Sequence, residues 1–222
     1  MIGVVATGQP LVDWAWIGRN ADLIGDQLVE HLVLTAYPMA LGIALAAPLA
    51  LAAVRWPRLY GPVLSFTGFL FTIPSIALFV LLVGVTGLSV TTAVIPLTIY
   101  TLLILVRNTV EGFNGIDPLV RESAEAMGFR RPAQILKVEL PLALPVILAG
   151  VRIATVTTIG LVTVTALIGQ GGLGRLFLDG FSRFFPTPIM VGLVLSVALA
   201  VLADVALLAL QRVLTPWRRG AA

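Results

Sequence analysis

Five stretches of this sequence are each long and apolar enough to cross a lipid bilayer, and that property restricts the chain to a bundle of membrane helices. A spanning helix needs about 20 mostly apolar residues at about 1.5 Å per residue, and inside the hydrocarbon every backbone polar group must be paired. The stretches run from about Leu32 to Val54, Pro62 to Val85, Thr91 to Val110, Leu144 to Ile168 and Ile189 to Leu210. Of the 222 residues, 59% are hydrophobic and 11% charged, whereas a soluble domain carries about 25% charged residues. The expected fold class is therefore all-α, a polytopic membrane protein with five transmembrane helices and the lipid bilayer as its surroundings. A net charge of +3 is too small to imply nucleic acid as a partner. With no cysteine, disulfides and Cys-ligated metal centres are excluded. The lone His31 cannot build a multi-histidine site, so no metal site is expected, and it reads as an interfacial residue with no special role.

Residues 1–30 form an N-terminal segment with no basic run that would mark a signal peptide, and it carries Asp13, Asp22, Asp26 and Glu30. Leu11, Trp14, Ile17, Leu23, Ile24 and Leu28 recur loosely at helical period, with Trp16 beside them. This pattern predicts a helix lying on the membrane surface. Residues 31–215 make the transmembrane body and 216–222 a short tail.

Basic residues in short loops set orientation. Arg55 and Arg58 follow the first span, Arg107, Arg121, Arg130, Arg131 and Lys137 cluster in or beside the loop after the third, and Arg212, Arg218 and Arg219 follow the fifth. The turn "GVTGLS" between spans two and three carries no charge. All loops agree on an N-terminus outside and a C-terminus in the cytoplasm.

The long cytoplasmic loop, residues 112–142, is patterned as a helical hairpin. In "GIDPLVRESAEAMG", Asp117 suits an N-cap, Pro118 the first helical position and Gly128 the left-handed stop. Leu119, Val120, Ser123, Ala124 and Met127 are expected on one face, and Arg121, Glu122 and Glu125 on the other, Arg121 and Glu125 being four apart. Pro132 restarts a short helix, "PAQILKVEL", and Pro141 and Pro145 are expected to break the chain before span four.

This hairpin is similar to the EAA loop of ABC-importer permeases, the binding-protein-dependent type I importers. The match runs Glu122-Ser123-Ala124, three residues, Gly128, nine residues, then Val138-Glu139-Leu140-Pro141. Ser stands for the first Ala of that pattern and Val for its Ile. The stretches "FTIPSIALFVLLV", "YTLLILVRNTVEGFNGIDP" and "GQGGLGRLFLDGF" resemble the glycine betaine, choline and osmoprotectant branch. The resemblance therefore covers about Phe71 to Phe181. It implies a type I importer permease fold, in which Glu122, Ser123, Ala124, Glu125, Ala126, Met127, Gly128, Arg130 and Arg131 dock on an ATPase, with Asp117, Pro118, Leu140 and Pro141 shaping the loop. It also implies partners: cytoplasmic ABC ATPase subunits, an extracytoplasmic substrate-binding protein, and a second permease copy or a paralogue. The implied cargo is glycine betaine, choline, carnitine or a similar quaternary amine; related branches carry methionine or other amino-acid-like solutes.

The energy source is expected to lie in another subunit. There is no Gly-x-x-x-x-Gly-Lys-[Ser/Thr] loop, the only lysine is Lys137, and "GQGGLG" (169–174) lacks a following lysine. That glycine-rich stretch reads as a gate or turn. No catalytic residue is expected and no cofactor in this chain, ATP and Mg being bound by the partner ATPase. Arg152 and Asp204 lie within spans four and five, both roughly 12–13 Å deep at about 1.5 Å per residue. Equal depth predicts that they pair, as a structural ion pair or as a polar element of the pathway. Arg107 and Asn108 could join that network. Thr72, Ser75, Tyr100, Asn108 and Thr158 are the candidate translocation path, although small polar residues in spans also serve helix packing. A channel is the other class kept open, since "TVTTIG" faintly resembles a potassium filter, and a secondary transporter is a further one.

Overall fold

The computed structural model of the chain describes residues 10–217. Asp13 caps a short helix α1, Trp14–Arg19, its carboxylate accepting from the Trp16 amide. Helix α2 then runs without interruption from Ala21 to Arg55. The surface helix expected for the N-terminal segment is thus confined to α1, and the boundary at 30/31 falls inside α2. No proline stands between Asn20 and Tyr37, so nothing stops the helix from continuing outward past the apolar stretch.

Span two is bent. Helices α3 (Tyr60–Thr72) and α4 (Ser75–Thr86) meet at 87°. Pro74 cannot donate to the Leu70 carbonyl, and the Ile73 amide closes on it instead at 3.4 Å. The Tyr100 hydroxyl donates to the Ile73 carbonyl at the break. That bond meets the requirement that irregular backbone at membrane depth be satisfied within the protein.

Helix α5, Val90–Asn114, is the central element. Met39, Ala46, Ala50 and Ala53 of α2 pack against its Leu102, Leu105, Val106 and Val110. The alanines let the two backbones approach closely, as small residues do in membrane bundles. At one end of the bundle Leu34 of α2 clusters with Phe79 and with Ala93 and Leu97 of α5. At the other end Val54 of α2 packs against Phe113, at the far end of α5. Helices α2 and α5 therefore run in the same direction, and the bent α3–α4 pair carries the chain back between them.

After α5 come α6 (Pro118–Ala126), α7 (Arg131–Gln134), a π-helical turn (Ile135–Glu139) and α8 (Leu140–Val162). The expected break before span four does not occur: the helical path is continuous from Arg131 to Ile168. The π turn absorbs Pro141. It widens the ladder so that the Leu140 amide reaches the Ile135 carbonyl, and Pro141, in the first turn of α8, has no N–H to misplace. A 3₁₀ stretch, Thr163–Ile168, leads to α9 (Gly174–Arg183) and α10 (Pro186–Leu214). Near its end Gln211 donates to the Pro145 carbonyl at 3.1 Å, so α10 finishes beside the start of α8. Among the described residues four helices are long and apolar enough to cross a membrane, and five segments are if the bent pair is one span. The expected 216–222 tail lies mostly outside the described residues.

Candidate functional site

The hairpin after α5 is built from local signals. Asp117 Oδ1 accepts from the Leu119 amide at 2.9 Å, and Pro118 opens α6. Gly128 ends it with φ +79°, the Gly128 amide bonding the Glu125 carbonyl and the Phe129 amide the Ala124 carbonyl. This is a Schellman stop, which needs a left-handed residue where glycine sits.

The faces of α6 differ from the expected pair. Ala124 is buried and Val120 half-buried, whereas Leu119 and Met127 are 67% and 70% exposed and Ser123 is exposed with them. A nine-residue helix lying on the end of a bundle buries only a narrow arc. Glu122, Glu125, Ala126 and Arg130 are exposed as well. The result is an outward surface of two large apolar side chains set among charges.

Arg121 does not pair with Glu125. Its Nε lies 3.6 Å from Glu139 Oε2, and its guanidinium donates to the Phe113 carbonyl. Arg131, expected to dock on an ATPase, is exposed and also donates from Nη1 to Glu139 Oε1 at 2.6 Å. Glu139 is completely buried, and a carboxylate taken from water draws whatever cations are in reach. The sequence signal for Glu139 was an acidic residue inside "QILKVELPLAL", at the edge of an apolar run. Leu140 and Pro141 stand at the start of α8, half-buried.

The path candidates fall into separate places. Thr72, Ser75 and Tyr100 gather at the Pro74 break, Thr72 returning its hydroxyl to the Phe69 carbonyl and Tyr100 stacking edge-on against Phe71. Asn108 bonds the Ile104 carbonyl and sits against Gly150, where α5 meets α8. Thr158 is buried, bonded to the Ala154 carbonyl and touching the Met39 sulfur. Asn108 and Thr158 thus lie where helices pack, apart from the group at the Pro74 break.

Arg152 and Asp204 meet as a bidentate pair, with Nε–Oδ1 and Nη2–Oδ2 both 2.8 Å. The pair lies in an open cleft of about 550 Å³ between α8 and α10, lined also by Ala149, Ile153, Thr157 and Ala200. Arg107 is not part of it and pairs with Glu111 at 2.8 Å.

His31 is fully buried rather than interfacial. Its Nδ1 accepts from the Leu173 amide at 3.2 Å, which leaves Nε2 to donate to the Ile159 carbonyl at 3.1 Å. Next to it Glu30 Oε1 accepts from the Gly171 amide at 2.9 Å. Two amides of the glycine-rich stretch are thus occupied by α2, which makes it an anchored turn rather than a phosphate cradle. No group of three or more potential metal-ligating side chains occurs among the described residues.

Comparison with known proteins places this geometry. A family described as the inner membrane component of binding-protein-dependent transport systems matches residues 36–220. The glycine betaine/carnitine/choline transport system permease protein OpuCB of Bacillus subtilis is 35% identical, covering 84% of this chain and 86% of that protein. The osmoprotectant import permease protein OsmW of Salmonella typhimurium is 38% identical over 89% of this chain and 94% of its own length. Among solved structures, an inward-facing MetNI methionine ABC transporter superimposes with a TM-score of 0.76 at 26% identity, covering 87% of this chain and 96% of that one. An amino acid ABC transporter chain superimposes with a TM-score of 0.77 at 17% identity, covering 90% and 98%, a likeness of fold alone.

Proposed function

The chain belongs to the family of inner membrane components of binding-protein-dependent transport systems, and from that premise we propose that it is the permease subunit of an ATP-driven importer for a small osmoprotectant. The solute is glycine betaine, choline, carnitine or a similar quaternary amine, and the membrane is the bacterial cell membrane. The observation that carries the solute class is similarity over most of the chain to permeases named for these compounds. The exposed strip of Leu119, Ser123 and Met127 on α6, framed by Glu122 and Glu125, suits docking on an ATPase subunit, which binds ATP and Mg. Two permease subunits, two copies of this chain or this chain and a paralogue, enclose the pathway. Closure of the ATPases draws the hairpins together and turns the cavity outward, where a solute-loaded binding protein delivers its cargo.

The test is reconstitution of the permease with its ATPase in liposomes, with binding protein added outside and ATP within. Labelled glycine betaine, choline, carnitine and methionine are offered in turn. Uptake of a quaternary amine that needs both ATP and the binding protein is expected. Methionine uptake alone would redirect the solute assignment, and flux without ATP would reject the importer reading in favour of a channel or a secondary transporter.

A further inference from the structure

The completely buried Glu139 carboxylate sits where three elements meet. Arg131 reaches it from α7 at 2.6 Å, and Arg121 from α6 at 3.6 Å. The same Arg121 guanidinium holds the last turn of α5 through the Phe113 carbonyl, and the Gln134 side chain donates to the Arg121 carbonyl at 3.3 Å. Glu139 is the last residue of the π turn, directly before α8. A single charge therefore ties the docking helix to the root of a spanning helix.

The arrangement is costly for a purely structural contact. Glu139 Oε2 and Arg121 Nε are both buried without a hydrogen-bond partner, and an apolar filling of such a site is often at least as stable as an ion pair. The contact is also uneven. It is tight toward α7, the same continuous helical path as α8, and looser toward α6, which the chain joins to α7 only through Met127–Arg130. Across that short loop, charge attraction holds α6 to α8.

We propose that Glu139 is a positioning residue that makes α6 and α8 move as one body, so that displacement of the docking helix by an ATPase reaches the pathway. This rests on the importer reading above. Loss of the charge should leave docking in place and break transmission.

The experiment compares the full complex carrying wild-type permease, Glu139→Gln or Glu139→Asp, reading ATPase co-purification, ATP hydrolysis and glycine betaine uptake in the same liposomes. For Glu139→Gln, bound ATPase and hydrolysis within about twofold of wild type are expected, with solute moved per ATP lowered about tenfold, the range of coupling energies carried by such networks. Glu139→Asp keeps the charge and should retain most of the uptake. Unchanged solute per ATP in Glu139→Gln, loss of the ATPase in parallel with uptake, or equal loss in both variants would overturn the proposal. If Glu139→Gln fails to accumulate, Arg121→Gln decides, since it cuts the α6 side and leaves Arg131 in place. A drop of about threefold in solute per ATP with the ATPase still bound supports the clamp, and an unchanged ratio overturns it. A wild-type complex with no ATP-dependent uptake of any quaternary amine would instead sink the importer reading itself.

Discussion

Arg152 and Asp204 each satisfy the other with two parallel bonds, so neither can be removed alone without stranding its partner inside a span. Arg152→Leu or Asp204→Leu is therefore expected to lower the folded yield in detergent, and the double substitution to recover it. A double variant worse than either single one would mean that the two contribute independently. A second residue-scale constraint lies at Gly150, where an added Cβ would stand 2.4 Å from Asn108 Cβ. That atom is fixed to the α5 backbone and cannot rotate away, so Gly150→Ala must push α8 from α5. Overpacking of this kind costs about 1–3 kcal/mol. Thermal unfolding in detergent is expected to show a clear loss of stability, and an unshifted transition would mean that the helices separate freely.

At the scale of an element, α6 was legible because its start and stop are written in residues that act locally: Asp117 and Pro118 before it, Gly128 after it. No atom lies near the Cβ that a substitution at Gly128 would add, so the constraint there is conformational, about 1–2 kcal/mol for an ordinary side chain in the left-handed region. Gly128→Val is expected to reach the membrane in normal amount yet release the ATPase or uncouple it, and Gly128→Asn, which tolerates that conformation, to be milder. Glu122→Lys, on an exposed position, should also insert normally and weaken coupling. Co-purification of the ATPase and uptake in the same vesicles measure both effects, and normal uptake in Gly128→Val and Glu122→Lys would mean that α6 is not the coupling element. What was illegible depended on neighbours distant in sequence. The inward turn of Arg121 follows from Glu139, eighteen positions on in the numbering, and periodicity within α6 alone assigns it to the outer face. His31 looked unremarkable because Leu173 and Ile159, which occupy its two nitrogens, are more than a hundred residues away. Pro141 and Pro145 read as breakers, but a local rule cannot anticipate the π turn that moves the ladder out of the way of Pro141, and Pro145 stands inside α8 without ending it.

For the whole molecule, the shared direction of α2 and α5 is the decisive feature. Leu34 and Ala93 lie at one end and Val54 and Phe113 at the other, so α3 and α4 together must traverse the bundle although neither is long enough alone. The described residues thus traverse the bundle five times when the bent pair is taken as one passage, and Trp16, packed on Phe185, lies at the end opposite the hairpin and the close of α10. The geometry relates the two ends to each other. Basic residues predict the sign: Arg55, Arg58, Arg130, Arg131, Lys137 and Arg212 gather at the hairpin end, which the positive-inside rule predicts to be the cytoplasmic one. Because the chain has no cysteine, single cysteines can report this directly. Leu88 lies in the turn before α5 and Ser182 near the end of α9, both exposed at the end opposite the hairpin, whereas Asn114 is exposed at the hairpin end. In intact cells an impermeant thiol reagent is expected to label Leu88→Cys and Ser182→Cys and to spare Asn114→Cys until the membrane is opened. Labelling of Asn114→Cys from outside, with Leu88→Cys and Ser182→Cys protected, would invert the orientation and put the hairpin beyond the reach of any cytoplasmic ATPase.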